Sequence, residues 1–152
     1  MATSKQLLGA SGEKLVAKYC ACPKCNGDRT LKRLPTNFKC ADLICDFCGF
    51  LGQVKTTNVK ALQPLPNQVL GAAWGPQKLR MDAGIFFPMF LVLQASAEFA
   101  IYYLSAELQK AELQKKLFTV RAPLSATAKR AGWQGFLYNL ASLPTGALVR
   151  LK

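Results

Sequence analysis

Four cysteines in two closely spaced pairs constrain the fold of this chain more than any other feature. Cys22 and Cys25 form one C-x2-C pair, Cys45 and Cys48 form the second, and 19 residues separate the two pairs. Each C-x-x-C segment presents two thiolates to one ion from a single tight turn, and two such turns complete a tetrahedral site. The spacing therefore predicts a zinc ribbon over about residues 20–50 that holds one structural Zn²⁺ per chain.

Disulfide bonds are the alternative use of these cysteines. All 6 cysteines lie in the first third of the chain, and the first 20 residues contain lysines but no apolar run long enough for a signal peptide. Because disulfides are rare in reducing compartments, this pattern favours metal binding and predicts a cytoplasmic protein. Cys20 and Cys40 fall outside the pattern, and we expect them to be small buried residues, although Cys20 is placed to compete with Cys22 as a ligand.

The segment DLICDFCGFLGQVK, residues 42–55, predicts a β-hairpin around the second cysteine pair. Its apolar runs favour one strand near residues 37–44 and a return strand near residues 49–57. With the turn centred between Phe47 and Cys48, residues 42 and 53 lie opposite each other, about 5 Å apart.

This register brings three polar side chains to one face of the hairpin. Asp42 and Gln53 are opposite each other, and Lys55 returns to the same face two residues later. Such a set is close to what metal-dependent phosphodiester hydrolysis requires, namely oxygen ligands for a hard cation and an ammonium group that positions the attacking water. The alternative is an ordinary hairpin with solvated polar side chains.

The charge of the chain favours a polyanionic partner. Lys and Arg number 20 against 8 Asp and Glu, histidine is absent, and the net charge is +12. Nucleic acid is the commonest such partner, although an anionic membrane surface or solubility alone would also account for the charge. The segment PLSATAKRAGWQG combines hydroxyls, cations and an aromatic ring. The candidates for phosphate contact and base stacking are Arg121, Lys129, Arg130 and Trp133. The alternative for that segment is an exposed loop with Trp133 packed on the core.

The most apolar stretch, residues 85–104, is long enough to suggest a membrane span. Pro88 and Glu98 argue against a span, and we predict a core hairpin with strands at 86–95 and 99–104, and no membrane partner.

The remaining segments carry weaker local signals. We predict a short helix over residues 12–20 with Ser11 as its N-cap, so that Glu13 lies in the first turn, where the helix dipole alone would account for a carboxylate. Residues 27–37 are predicted to form a loop, residues 67–81 a helix broken at Gly75-Pro76, and residues 106–116 a helix. The segments GFLYNL and GALVRL are predicted strands.

These motifs together resemble the PD-(D/E)XK nucleases, and among them the DpnI-like, Dam-replacing restriction endonucleases that cut adenine-methylated DNA. The resemblance rests on the Glu13 helix, CPKC, ADLICDFC, QVK, PLSATAKRAGWQG and residues 140–144. It implies an α/β fold with a mixed sheet, in which a zinc ribbon is inserted into a PD-(D/E)XK restriction-endonuclease-like core. At 152 residues, we expect one nuclease-like domain over residues 1–152.

The resemblance also implies roles for particular residues. Asp42 and Gln53 match residues that bind catalytic Mg²⁺ or Mn²⁺, with Val54 grouped among the magnesium ligands. Lys55 matches the lysine that assists the attacking water, and Glu13 falls where the family often has a helical carboxylate near the metals. The implied activity is that of a Mg²⁺-dependent type II methyl-directed deoxyribonuclease, which cuts double-stranded DNA and prefers adenine-methylated GATC sites.

Two departures from the family pattern affect these expectations. Gln53 replaces the usual glutamate of the E-x-K pair, which removes one negative charge at the metal. Fuller members of the family carry a C-terminal winged helix, which we expect this chain to lack, so that a separate recognition domain or a homo-oligomer would read the site. The alternative function is a non-catalytic zinc-ribbon DNA-binding module of the same fold, whose catalytic metal site has lapsed.

Overall fold

The chain folds into two compact units, each of which mixes helices and strands. The first unit comprises Met1–Leu62, Phe87–Ser105 and Leu148–Lys152, and the second comprises Gln63–Phe86 and Ala106–Ala147. The computed structural model describes residues 2–38, 41–110, 114–121 and 134–152, with residues 72, 73, 114 and 115 described by their backbone alone. The predicted α/β class is confirmed, whereas the single nuclease-like domain over residues 1–152 stays a prediction.

The first helix, α1, extends over Ser4–Tyr19. It begins with a capping box, in which the Thr3 hydroxyl accepts from the Gln6 backbone N–H at 3.2 Å and the Gln6 side chain accepts from the Thr3 N–H at 2.8 Å. The prediction of Ser11 as N-cap is therefore wrong, because the helix starts a full eight residues earlier, at Ser4 rather than at residue 12. Glu13 lies deep in the helix, where the helix dipole does not explain a carboxylate.

The first unit is built on a six-stranded mixed sheet in the order β1-β2-β3-β5-β6-β9. Its strands are β1 (Leu31–Arg33), β2 (Leu43–Cys45), β3 (Leu51–Asn58), β5 (Met89–Gln94), β6 (Phe99–Leu104) and β9 (Val149–Arg150). Strands β3 and β5 are parallel, and all other neighbours are antiparallel.

The hairpin around the second cysteine pair has the predicted register. Leu43 is paired with Gly52 and Ile44 with Leu51, and continuing this register by one residue places Asp42 opposite Gln53. The first strand is shorter than predicted, because β2 begins only at Leu43 and residues 39 and 40 lie outside the described residues.

Strand β1 lies within residues 27–37, which were predicted to be a loop, so that prediction is wrong for Leu31–Arg33. The strand forms because Leu31 pairs with Cys45 and is buried in the core of the first unit. A three-residue strand is too short to show the alternation by which strands are recognised in a sequence.

Helix α1 packs on the sheet of the first unit through its smallest residue. A Cβ atom at Gly12 would lie 1.8 Å from the Thr56 hydroxyl, so the helix and β3 are in close contact here. Val16 of the helix is fully buried in a core with Val54 and Phe90. Cys20 is also buried, as predicted.

The apolar stretch forms the predicted hairpin of β5 and β6. The two strands are antiparallel, with Met89 opposite Leu104 at one end and Gln94 opposite Phe99 at the other. Across the described ranges, the helices are all too short or too polar to span a bilayer.

The second unit contains a three-stranded antiparallel sheet in the order β4-β8-β7. Its elements are β4 (Gln68–Ala73), α2 (Trp74–Asp82), α3 (Gln114–Leu117), β7 (Phe118–Val120), β8 (Gly135–Asn139) and short 3-10 helices at Glu107–Gln109 and Leu140–Ser142. Four aromatic rings, those of Trp74, Phe118, Phe136 and Tyr138, pack with neighbouring centroids 5.1–5.8 Å apart.

Several predictions for the second unit need correction. The helix over residues 67–81 is wrong for its first part, because Gln68–Ala73 pair with β8 and Gly71 lies directly against the Phe136 ring. The predicted break at Gly75-Pro76 is also wrong, because both residues lie in the first turn of α2. The helix over residues 106–116 is two short helices, and residues 111–113 between them lie outside the described residues. The GFLYNL strand is confirmed as β8, whereas only Val149–Arg150 of GALVRL, in the first unit, is strand.

Candidate active site and zinc centre

The four cysteines of the predicted zinc ribbon meet at one point of the first unit. The sulfur atoms of Cys22 and Cys48 are 3.6 Å apart, those of Cys25 and Cys45 are 3.7 Å apart, and all four lie within 4.8 Å of one another. Tetrahedral coordination with Zn–S bonds of about 2.3 Å requires sulfur atoms about 3.8 Å apart. The cluster therefore fits a Zn²⁺ ion.

Backbone amides point at the sulfur atoms from both turns. The Gly27 N–H donates to Cys25 Sγ at 3.4 Å, and the Cys48 N–H donates to Cys45 Sγ at 3.5 Å. In the second turn Gly49 adopts a positive φ of 79° and donates its N–H to the Cys45 carbonyl at 2.9 Å. Amides in these positions stabilise thiolates and orient them for a metal.

The pKa values of the thiols differ because their surroundings differ. Burial raises the pKa of Cys22 to about 12. Burial also acts to raise the pKa of Cys45, but hydrogen bonds with Thr30 and with the backbone at Cys48 and Phe47 outweigh it and lower the pKa to about 6.

Asp42 is half-buried at the start of the hairpin and is held by the opposite strand. Its Oδ2 atom accepts a hydrogen bond from the Val54 backbone N–H at 2.8 Å, while its own N–H donates to the Gly52 carbonyl at 2.9 Å. These two bonds tie the carboxylate to β3.

Glu13 of α1 and Asp42 line the same cleft, which has a volume of about 440 Å³. The Asp42 charge acts on Glu13, since burial first and Asp42 second raise the pKa of Glu13. The Arg33 guanidinium acts to lower the same pKa, because it donates hydrogen bonds to Glu13 Oε2 from Nε at 3.2 Å and from Nη2 at 3.1 Å. The cleft therefore contains two carboxylates and one arginine that partly neutralises them.

Lys55 and Gln53 are two residues apart on β3 and project from the face opposite Val54. Burial lowers the pKa of Lys55, and the nearby Asp42 carboxylate acts in the opposite direction. Gln53 donates its backbone N–H to the Pro88 carbonyl at 2.9 Å. Among the described residues, the lining of the 440 Å³ cleft includes Asp42 and Glu13 but neither Gln53 nor Lys55.

The predicted nucleic-acid contacts lie mostly where the structure is not described. Lys129, Arg130 and Trp133 fall outside the described residues. Arg121 is half-buried and donates its backbone N–H to the Gly135 carbonyl at 2.9 Å.

Sequence reasoning missed Arg33, which contacts Glu13 from 20 positions away along the chain. Its segment, GDRTLKRLPTN, carries the polar and basic character of a loop, and no local pattern in it indicates a carboxylate partner.

A family model described as DpnI, the Dam-replacing family, matches residues 3–151. This chain belongs to the Dam-replacing family. The resemblance inferred from the sequence motifs is therefore confirmed, and membership points to a restriction-type nuclease that acts on DNA. No curated protein sequence matches this one.

Proposed function

We propose that this Dam-replacing protein is a metal-dependent type II DNA endonuclease with a PD-(D/E)XK core, which hydrolyses phosphodiester bonds and prefers adenine-methylated GATC sites. The supporting observation is the convergence of Asp42 and Glu13 on one cleft, with Lys55 close enough to Asp42 for their charges to interact. Family membership supports the restriction-type activity, and the preference for methylated sites is an extension from the resemblance.

The oxygen-rich donor set suits a hard divalent cation. Asp42 and Glu13, which line the cleft, together with Gln53 and the Val54 carbonyl on β3, which do not, would hold Mg²⁺ or Mn²⁺. The cation would supply positive charge to the scissile phosphate and lower the pKa of a bound water. The Val54 N–H fixes Asp42 through Oδ2, which leaves Oδ1 as the oxygen that can face a cation.

Lys55 has the environment of a residue that exchanges protons with water. Because burial lowers its pKa, its ammonium group gives up a proton more readily than that of an exposed lysine. In the proposed reaction Lys55 orients the attacking water by a hydrogen bond and accepts its proton, while Asp42 limits how far the lysine pKa falls.

Two observations favour the second candidate, a non-catalytic DNA-binding module. Gln53 supplies a neutral oxygen where the family pattern has a carboxylate. Arg33 donates to Glu13 Oε2 from two nitrogens, so its positive charge lies beside this carboxylate and opposes a cation there. Both features weaken metal binding and predict that cleavage, if retained, requires a high metal concentration.

A plasmid-cutting assay separates the two functions. Zinc-loaded protein is incubated with GATC-containing plasmid, methylated or unmethylated at adenine, in Mg²⁺, in Mn²⁺ or without added divalent metal. We expect cutting of methylated plasmid that depends on metal and is faster in Mn²⁺, because Mn²⁺ binds mixed oxygen and amide ligands more tightly.

Variants identify the site in the same assay. Asp42→Asn and Lys55→Met should abolish cutting but leave DNA binding intact, whereas Gln53→Glu should lower the metal concentration needed. Lys60→Ala, an exposed lysine beyond β3, is the control and should cut like the wild type. No cutting by the wild type together with cutting by Gln53→Glu would establish the non-catalytic module, and equal cutting of both plasmids would remove the methylation preference.

A further inference from the structure

A second depression in the first unit, distinct from the carboxylate cleft, is lined by an unusual density of cations. Its volume is about 510 Å³, and its walls come from α1 on one side and from β1 with the preceding turn on the other. Five of its lining residues are basic: Lys14, Lys18, Arg29, Lys32 and Arg33. Ala17 and Leu31 also line this groove, which we call the basic groove.

Among the residues that the structure describes, little of this charge is neutralised by acidic side chains. In the described part of the chain, Arg33 is the one cation of the groove that forms a salt bridge, with Glu13. Lys32 donates to the Arg29 carbonyl at 2.9 Å, which orders its ammonium group without cancelling its charge. Lys14 and Lys18 stand four residues apart on one helix face, where their like charges repel each other. An anionic ligand in the groove would remove this repulsion.

Arg29 lies at a backbone position that favours glycine. Arg29 adopts a φ of 57°, in the left-handed region that residues with a Cβ atom rarely occupy. Glycine would fit this turn without strain, so the arginine keeps its side chain here at a cost in backbone energy. That side chain lines the basic groove.

The basic groove meets the carboxylate cleft at Arg33, which lines both. We propose that the basic groove binds the sugar-phosphate backbone of a nucleic acid and leads it to the cleft of Glu13 and Asp42. This proposal rests on the proposed nuclease function for the role of the cleft, but binding in the groove requires no catalysis. Lys14, Lys18, Arg29 and Lys32 contact successive phosphates, and Arg33 stands where the backbone enters the cleft.

The shape of the site favours nucleic acid over an anionic membrane. The cations line a concave depression between two elements, which accommodates a projecting phosphate backbone, whereas a flat lipid surface contacts projecting residues first. At Arg33 the groove also adjoins the cleft that contains two carboxylates, which would repel a lipid surface but suit a metal-dependent reaction on a phosphodiester.

A DNA-binding assay tests the groove independently of cutting. Fluorescence anisotropy measures the affinity for a labelled 16-base-pair duplex across a salt series, without magnesium or manganese. The double variant Lys14→Ala/Lys18→Ala should bind at least about tenfold more weakly at low salt, with a logarithmic salt slope shallower by about 0.9 per lysine. The control is Lys5→Ala/Lys60→Ala, which removes the same charge from exposed positions, one of them on the same helix. Its affinity should stay within about threefold of the wild type.

A glycine substitution separates binding from folding. Arg29→Gly relieves the left-handed strain and should preserve or raise thermal stability while weakening DNA binding. Asn26→Gly is the matched control, since Asn26 has the same φ of 57° but carries no charge and does not line the groove. It should leave DNA affinity unchanged.

The outcomes are decisive in each direction. Equal losses in the groove variant and the Lys5/Lys60 control would show a general charge effect and overturn the proposal. Unchanged DNA affinity with reduced binding to vesicles of anionic phospholipid would show a membrane site instead. Weakened DNA binding in the groove variants of a protein that never cuts DNA would support the groove and reject the nuclease.

Discussion

The contact between Gly12 and Thr56 predicts that one added methyl group disturbs both the fold and the candidate active site. A Cβ at residue 12 would lie 1.8 Å from Thr56 Oγ1 and 3.0 Å from Thr56 Cβ, whereas a Cβ at Gly9 of the same helix meets nothing within 4 Å. Alanine gains about 0.5–1 kcal/mol over glycine within a helix, and this gain applies to both positions. The difference between Gly12→Ala and Gly9→Ala therefore isolates the cost of overpacking.

Overpacking of this kind costs about 1–3 kcal/mol. For a chain of this size, we expect Gly12→Ala to melt roughly 2–12 °C below Gly9→Ala. Urea denaturation of the zinc-loaded variants measures the difference in the free energy of unfolding. Because Glu13 follows Gly12 directly, the displaced helix should also move Glu13 relative to Asp42 and weaken metal-dependent cutting.

Second-site variants test whether Thr56 is the cause. The Thr56 hydroxyl is buried without a hydrogen-bond partner in the described part of the chain, so Thr56→Ala removes the obstruction and loses no bond. It should restore most of the stability of Gly12→Ala, whereas Thr56→Val, which keeps a methyl group in place of the hydroxyl, should not. Equal stability of Gly12→Ala and Gly9→Ala would refute the argument.

Three further predictions concern the zinc cluster and the cleft. Elemental analysis should find one zinc per chain. Cys22→Ser should lose the metal and unfold the ribbon, because the free energy of metal binding at the cluster is also the free energy that folds the ribbon. Cys20→Ser should keep the zinc, because Cys20 is not one of the four cysteines of the cluster. Arg33→Ala should lower the free energy of unfolding by about 1–2 kcal/mol at pH 7, because it leaves the partly buried Glu13 carboxylate unpaired. The same substitution should cost less in a Glu13→Gln background. Equal losses in the two backgrounds would contradict this coupling. Lys55→Met should raise the free energy of unfolding at pH 7, because burial lowers the pKa of Lys55 and so penalises its charged form in the folded protein. The wild-type lysine loses its charge as the pH rises through its folded-state pKa, so the stability advantage of Lys55→Met should shrink there. Melting curves between pH 7 and about 10 measure it, and an advantage that grows with pH would be inconsistent with a lowered pKa.

Local patterns in the sequence are sufficient to predict the four clustered cysteines and the register of the hairpin. Cys45 and Cys48 flank a turn, and the strands that leave it pair as the turn requires, with Leu43 opposite Gly52. The helix start is also encoded locally, because Thr3 and Gln6 form a capping box, whereas Ser11 lies inside the helix and caps nothing. The hairpin of β5 and β6 followed from an apolar stretch interrupted by a polar turn.

Other elements depended on partners far away in the chain. Strand β4 has a sequence compatible with a helix and becomes a strand because Gly71 fits against Phe136 and its backbone pairs with β8. Tertiary pairing overrides local propensity in such short segments. The three residues of β1 are a strand because the hairpin offers them an edge to pair with.

The sequence by itself determined the residue types of both candidate centres: four thiolates at ligand spacing, and Asp42, Gln53 and Lys55 on one hairpin. These follow from turn geometry and from the two-residue period of a strand, which act over a few residues. Only the tertiary structure decided that Glu13 and Asp42 line one cleft, that Arg33 partly neutralises Glu13, and that the basic groove meets this cleft at Arg33. The physical reason is that packing α1 against β1 and β3 depends on close contacts such as that of Gly12 with Thr56, which no local pattern records.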